Sequence, residues 1–211
     1  MPSGKRATHR LSADERKAAI VEAAVRLFSS NGFRGATTRE LAAASGITEP
    51  VLYSHFATKR ALYRAMIESI CGTAEACCDP GLEKASEAGD DERYFTLLAE
   101  QMLAWYEEQP QVIRLLLFSA LEGHELSDLF YERHIAVYYE MLTGYIRRRM
   151  REGAFRKMDP YHAARAFTGT ITHQGVVMVV FKGRNLRGTR RQIARRMVSI
   201  FLNGIRKPGV T

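Results

Sequence analysis

Long apolar runs are missing from this chain of 211 residues. The longest, Val176 to Phe181, falls far short of the roughly 20 residues that a membrane-spanning helix needs. Cysteine is scarce as well. Cys71, Cys77 and Cys78 are an odd number without metal-ligand spacing. No metal or cofactor is therefore expected, and a reduced, cytoplasmic setting is the simplest reading. The basic stretch from Met1 to Arg10 has no apolar segment behind it, which speaks against a signal peptide. Prolines number only 6, and the hydrophobic and charged shares are 46% and 26%. Those values exclude a collagen-like, disulfide-scaffold or wholly disordered chain. Strand-like alternation is absent apart from the β-branched run near Val176, whose flanks are helical.

Acidic residues are in short supply at one end only. Residues 1–64 hold 11 Lys and Arg against 5 Asp and Glu, whereas residues 65–211 hold 20 against 18. Most of the net charge of +8 thus sits in less than a third of the chain. A nucleic-acid-binding end joined to a nearly neutral body fits that asymmetry. A solvated basic surface without a partner fits it too, and charge alone does not choose.

Helix signals choose more sharply. Ser12 and Glu15 form a capping box that opens a first helix, with Ile20, Ala24, Leu27 and Phe28 as its buried stripe and Asn31-Gly32 as its end. A second box, Thr37 and Glu40, opens a short helix closed by Ser45-Gly46. Thr48 is expected to cap a third helix from Glu49 to Phe56, with Pro50 in its first turn. Thr58 caps a fourth, from Lys59 to about Cys77. The stretch from Cys78 to Glu92, acidic and rich in Gly and Pro, reads as a linker or surface loop. Longer helices follow at about 92–107, 111–122, 125–152, 160–182 and 189–206.

Two short helices joined by a tight turn, after a longer one, describe a helix-turn-helix unit spanning about 38–57. Ala42 is small at the expected crossing, Gly46 suits the turn, and Ile47 and Leu52 fix the second helix on the first. In that geometry the second helix enters the major groove. Thr37 and Thr48 bring hydroxyls to phosphates, and Glu49, Pro50 and Val51 lead the groove helix. Tyr53 and His55 face outward, and Lys59 meets a phosphate. Each has a plainer role available as a cap, a packed ring or a solvated charge.

Residues 12–62 resemble the N-terminal domain of the tetracycline-repressor (TetR) family of bacterial regulators. The resemblance rests on Gly32-Phe33, Thr37-Thr38-Arg39-Glu40-Leu41-Ala42, Ala44-Ser45-Gly46-Ile47-Thr48, Leu52-Tyr53-Ser54-His55-Phe56 and Lys59-Arg60-Ala61-Leu62-Tyr63. It implies an all-α homodimer of about nine helices per subunit. An N-terminal DNA-binding domain (1–64) would precede a ligand-binding and dimerisation domain (65–211). The DNA contacts carried over are Thr37, Arg39, Thr48, Glu49, Pro50, Tyr53, His55 and Lys59. The implied activity is transcriptional regulation, as a repressor released from a palindromic operator on double-stranded DNA by a small apolar or aromatic effector. An activator, or a regulator without an effector, is the alternative.

In the body, the default for an apolar stripe is core packing. Its Met, Tyr, Trp and Phe content nonetheless suits an effector pocket, for which Met102, Trp105, Phe118, Tyr138, Tyr139 and His173 are the candidates. Phe167, Ile171, Val177, Phe181, Ile193, Met197, Ile200 and Phe201 are the candidates for the dimer interface. The arginines at 147–151 and 184–196 read as solvated helix ends. No nucleophile elbow, phosphate loop, metal-binding His pair or paired-carboxylate motif is present, so an enzyme is not expected. A protein-interaction module that has lost its DNA role would not need the full polar set from Thr37 to Lys59.

Overall fold

The computed structural model describes residues 12–34, 36–71, 79–182 and 187–205. All regular elements among them are helical. In chain order they are α1 (Ala13–Asn31), α2 (Thr38–Ala44), α3 (Glu49–His55), α4 (Lys59–Cys71), α5 (Pro80–Ala88) and α6 (Asp91–Glu108). Next come α7 (Pro110–Leu121), α8 (Glu125–Phe130), a π turn (Tyr131–Ile135), α9 (Ala136–Arg151), α10 (Pro160–Val180) and α11 (Arg190–Ile205).

The capping boxes of α1 and α2 form as the sequence predicts. Thr58 Oγ1 accepts the Ala61 amide at the start of α4. Thr48 differs. It takes the extended backbone of a cap, but its hydroxyl makes no capping bond. The expected linker from Cys78 to Glu92 is largely helix. Asp79 caps α5 through the Gly81 amide, and Leu82 and Ala85 bury its inner face. Pro80 and Gly89, which read as breakers in the sequence, stand at the first turn and the C-cap, where each residue favours a helix boundary. With α5 added, and the 125–152 stretch split by a π turn, the helix count exceeds the expected nine. The continuation of α4 expected as far as Cys77, and the side chains of all three cysteines, lie outside the described residues.

Two apolar clusters hold the chain together. The body cluster centres on Phe95 of α6, whose ring meets Phe167 at 4.9 Å, Phe201 at 5.1 Å and Tyr145 at 5.7 Å. A buried ion pair crosses it. Arg149 donates to Asp91 at 2.8 and 3.0 Å, and the Tyr145 hydroxyl donates to the same carboxylate at 2.7 Å. Arg148 reaches the backbone carbonyl of Ser86. Two arginines read as solvated are therefore structural. Burial pushes the Tyr94 hydroxyl up to about 12. Gly175 is required by contact, since a Cβ there would lie 2.3 Å from the Tyr106 ring.

The second cluster does not respect the expected boundary at residue 64. It runs from Ile20, Phe28, Leu41 and Leu52 through Met66 and Ile67 of α4 to Leu115 of α7 and Leu126 and Leu129 of α8. The head is thus packed on the body, not tethered to it. Leu121, the last residue of α7, is 83% exposed.

Candidate nucleic-acid interface

The turn between α2 and α3 is built from few atoms. Ala42, only 2% exposed, lets the two helices approach. Its carbonyl accepts the Ile47 amide at 2.9 Å, closing the turn. Gly46 stands at φ +66°, a backbone region that side chains resist. Leu52 and Phe56 point inward and are buried, so the pitch of α3 turns Val51 and Tyr53 outward.

The Thr38 hydroxyl donates to the Glu49 carboxylate at 2.6 Å, tying the N-terminal ends of α2 and α3 together. Glu49 is half-buried and is more brace than probe. Thr37 has its hydroxyl engaged in the capping box, while Thr48, Pro50 and Tyr53 are exposed at the leading end and outer face of α3. Arg39 and Lys59 are exposed and have no carboxylate partner among the described residues. His55 sits half-buried in the last turn of α3, away from its leading end. Two helix N-termini and two unpaired cations therefore surround a short outward-facing helix. Helix N-terminal amides and such cations suit phosphates, and the exposed face of α3 suits base edges.

Sequence reasoning does not reach the attachment of this head. Glu122, at the C-cap of α7, accepts the amides of Phe33 and Arg34, both at 2.9 Å. The His124 ring stacks on Phe33 at 3.8 Å and meets the edge of Tyr63 at 4.6 Å. Burial holds the His124 imidazole below the usual histidine range, with Lys59 adding to the effect and Glu125 and Glu122 opposing it. Neither residue carries a signal in sequence, because each meets partners some 60 to 90 positions away in the chain.

The six candidate pocket residues do not surround one space. Met102 and Tyr138 pack on the body cluster, Trp105 stacks on Phe130 at 6.2 Å, and Phe118 lies beside the α1–α2 turn. His173 is exposed on α10. Tyr139 alone reaches an open cleft of about 400 Å³ between the π turn, α9 and the start of α10. Tyr131, Glu140, Thr143, Arg147 and Tyr161 share that cleft. The buried Thr143 hydroxyl there has no hydrogen-bond partner among the described residues. Arg165 donates to the Tyr161 hydroxyl at 3.4 Å, and its guanidinium lies 5.6 Å from the Tyr139 ring and 5.8 Å from that of Tyr161.

The dimer candidates divide as well. Phe167 and Ile171 are fully enclosed in the subunit's own core, and Ile193, Met197 and Phe201 pack against the same cluster. Phe167 and Ile171 face inward, while Ile193, Met197 and Phe201 are half-buried. Val177 is half-buried. Phe181, 60% exposed, and Ile200, 76% exposed, do reach the surface. Among the described residues no helix is long and apolar enough to cross a membrane, and no cluster of metal-ligating side chains occurs.

Comparison with known proteins places this geometry. Residues 20–66 match the family of bacterial regulatory proteins of the tetR type, and residues 96–204 match the C-terminal domain of AefR-like transcriptional repressors. The chain belongs to the TetR family. It is a DNA-binding transcriptional regulator of that family, and not an enzyme. It is 29% identical over 186 residues to the nucleoid occlusion factor SlmA of Marinobacter nauticus, covering 88% of this chain and 90% of that protein. It is 38% identical over 65 residues to the transcriptional activator FasR of Mycolicibacterium smegmatis, covering 31% and 30% of the two chains. A TetR family regulator from Pseudomonas syringae pv. tomato superposes with a TM-score of 0.65 at 19% identity, over 94% of this chain and all of that one. That last likeness concerns the fold.

Proposed function

We propose that the chain acts as a homodimeric repressor, cytoplasmic in location, which leaves a palindromic operator when a small apolar or aromatic effector binds its body. Residues 1–64 form the reading head and 65–211 the body. Thr37, Arg39, Thr48, Pro50, Tyr53 and Lys59 make the DNA contacts, with Glu49 bracing and His55 peripheral. The observation that carries the reading is the exposed outer face of α3, packed on the capped helices α1 and α2, together with the exposed cations Arg39 and Lys59. Ala166, Gly169 and Val180 on α10, Phe181 at its C-cap and Ile200 on α11 are small or apolar and exposed, which supports a twofold partner there. Two such heads would meet successive major grooves about 34–36 Å apart. Selection of bound duplexes from a random pool tests this. A recovered palindrome with half-sites one helical turn apart is the expected result, and recovery of no sequence preference would refute it.

The cleft at the π turn is the best place for an effector, because its phenolic rings and the unpaired Thr143 hydroxyl offer both π faces and polar anchors. π turns inside helices often mark functional sites. Trp105, the single tryptophan, stacks on Phe130 beside this turn. A ligand entering the cleft should change its fluorescence. A second reading, regulation without a small-molecule effector, draws support from the open shape of the cleft and the scatter of the other aromatic candidates. A screen in which no compound moves Trp105 fluorescence or operator affinity would favour it.

A further inference from the structure

Glu122 lies in the body, yet its carboxylate ends in the head. One oxygen, Oε2, accepts two consecutive amides, Phe33 and Arg34, at 2.9 Å each. Those amides belong to the turn after α1, where no helical carbonyl is available to them. Thr37, the cap that opens α2, follows three residues after Arg34. We propose that Glu122 is a positioning residue for DNA binding: it fixes the angle at which the head sits on the body, and thereby the separation of the two recognition helices in the dimer. The inference rests on the reading of α3 as the groove helix and of α10 and α11 as the twofold interface.

Three further observations make the turn from Glu122 to Glu125 a rigid seat. The His124 ring is anchored from the body side, where Nδ1 accepts the Leu126 amide at 3.2 Å and so caps α8. From the head side it lies flat on Phe33, which in turn stacks on Phe28 at 4.6 Å. Glu125 then pairs with Arg60 of α4 at 3.3 Å. Within this seat the carboxylate is the part that grips the backbone of the head. Side-chain stacks can slide within their plane, but two convergent charge-assisted bonds set both direction and distance. A small rotation here is carried to the far side of the head, where α3 lies, and is doubled by the twofold axis.

The test uses the full chain, as wild type, Glu122→Ala and Glu122→Gln. Binding is measured to the selected operator, to the same half-sites with one base pair added or removed, and to non-specific duplex. The alanine variant should lose about tenfold in affinity for the native spacing. Its preference for native over altered spacing should shrink, while non-specific binding and its salt slope stay unchanged. The glutamine variant, which keeps an acceptor oxygen without the charge, should fall between. It carries the comparison should the alanine variant fold poorly. Variants indistinguishable from wild type in spacing preference would overturn the inference alone. So would an equal loss on every duplex, which would indicate a damaged head and not a misplaced one. A wild-type chain that selects no spaced half-sites would overturn the underlying reading as well.

Discussion

The head and the body of this molecule are assembled by different means. In the head, α2 and α3 are 7 residues each, while α10 of the body runs to 21. Short helices cannot hold themselves by length. They are fixed by local devices: a capping box, a glycine turn, one small crossing residue and a hydroxyl brace from Thr38 to Glu49. The body helices have caps too, at Asp79, Asp90, His124 and Asp159, but what joins them is mass burial around Phe95 and the half-buried ion pair between Arg149 and Asp91. A reading head must present a fixed surface with few residues, so its precision is written residue by residue. A body that needs only to stay packed can distribute the task over many interchangeable apolar contacts.

Substitutions can break or sharpen that contrast. The largest effect is expected at the buried ion pair. Asp91→Ala takes from Arg149 one of its two carboxylate partners, leaving Glu152, and strips the buried Tyr145 hydroxyl of its acceptor; it should cost about 2–3 kcal/mol of unfolding free energy, read from urea denaturation. A loss below about 1 kcal/mol would mean the body does not depend on it. In the head, Ala42→Leu should cost about 1–3 kcal/mol by forcing the α2–α3 crossing apart, and should abolish specific DNA binding before it unfolds the chain. Stability retained together with full operator affinity would contradict the tight crossing. Thr37→Ala removes one capping box and should cost about 1 kcal/mol, measurable as a lower melting temperature. Lys59→Ala should leave stability within about 0.5 kcal/mol, yet weaken binding to all sequences and reduce the salt slope by about 1. An unchanged slope would remove Lys59 from the phosphate contacts.

The smallest effect lies where the two regions meet. Burial favours neutral His124, so its folded value sits below the unfolded one. The unfolded chain therefore binds the proton more readily. The stability this ring contributes is present above the ordinary histidine range and is lost as pH falls through it. Glu122, Glu125, Lys59 and Tyr63 face the ring and are common to the wild type and His124→Phe. Melting at pH 8 and pH 5 should differ more in the wild type than in His124→Phe; an equal difference would show that other groups govern the acid response.

Much of the head is legible in the residue order. Caps and turns act within four residues, so Ser12, Thr37, Gly46 and Thr58 announce their roles locally. The body is legible only as a set of helices. Periodicity shows that Phe167 and Ile171 are buried, but not against what; the structure packs both into the subunit's own core. A buried face and a partner-facing face carry the same apolar residues. The helix α5 is hidden because Pro80 and Gly89 weigh as breakers, when at the first turn and the C-cap they are boundary residues.

The amino-acid order by itself determined the fold family and the place of the two short helices α2 and α3 with the turn between them, since each depends on interactions between near neighbours. Only the packed structure decided that Arg149 is buried on Asp91, that the head shares its core with α7 and α8, and that Glu122 holds the turn at Phe33 and Arg34. Those contacts join positions far apart in the chain, and no local preference encodes which distant segment a carboxylate or an aromatic ring will meet.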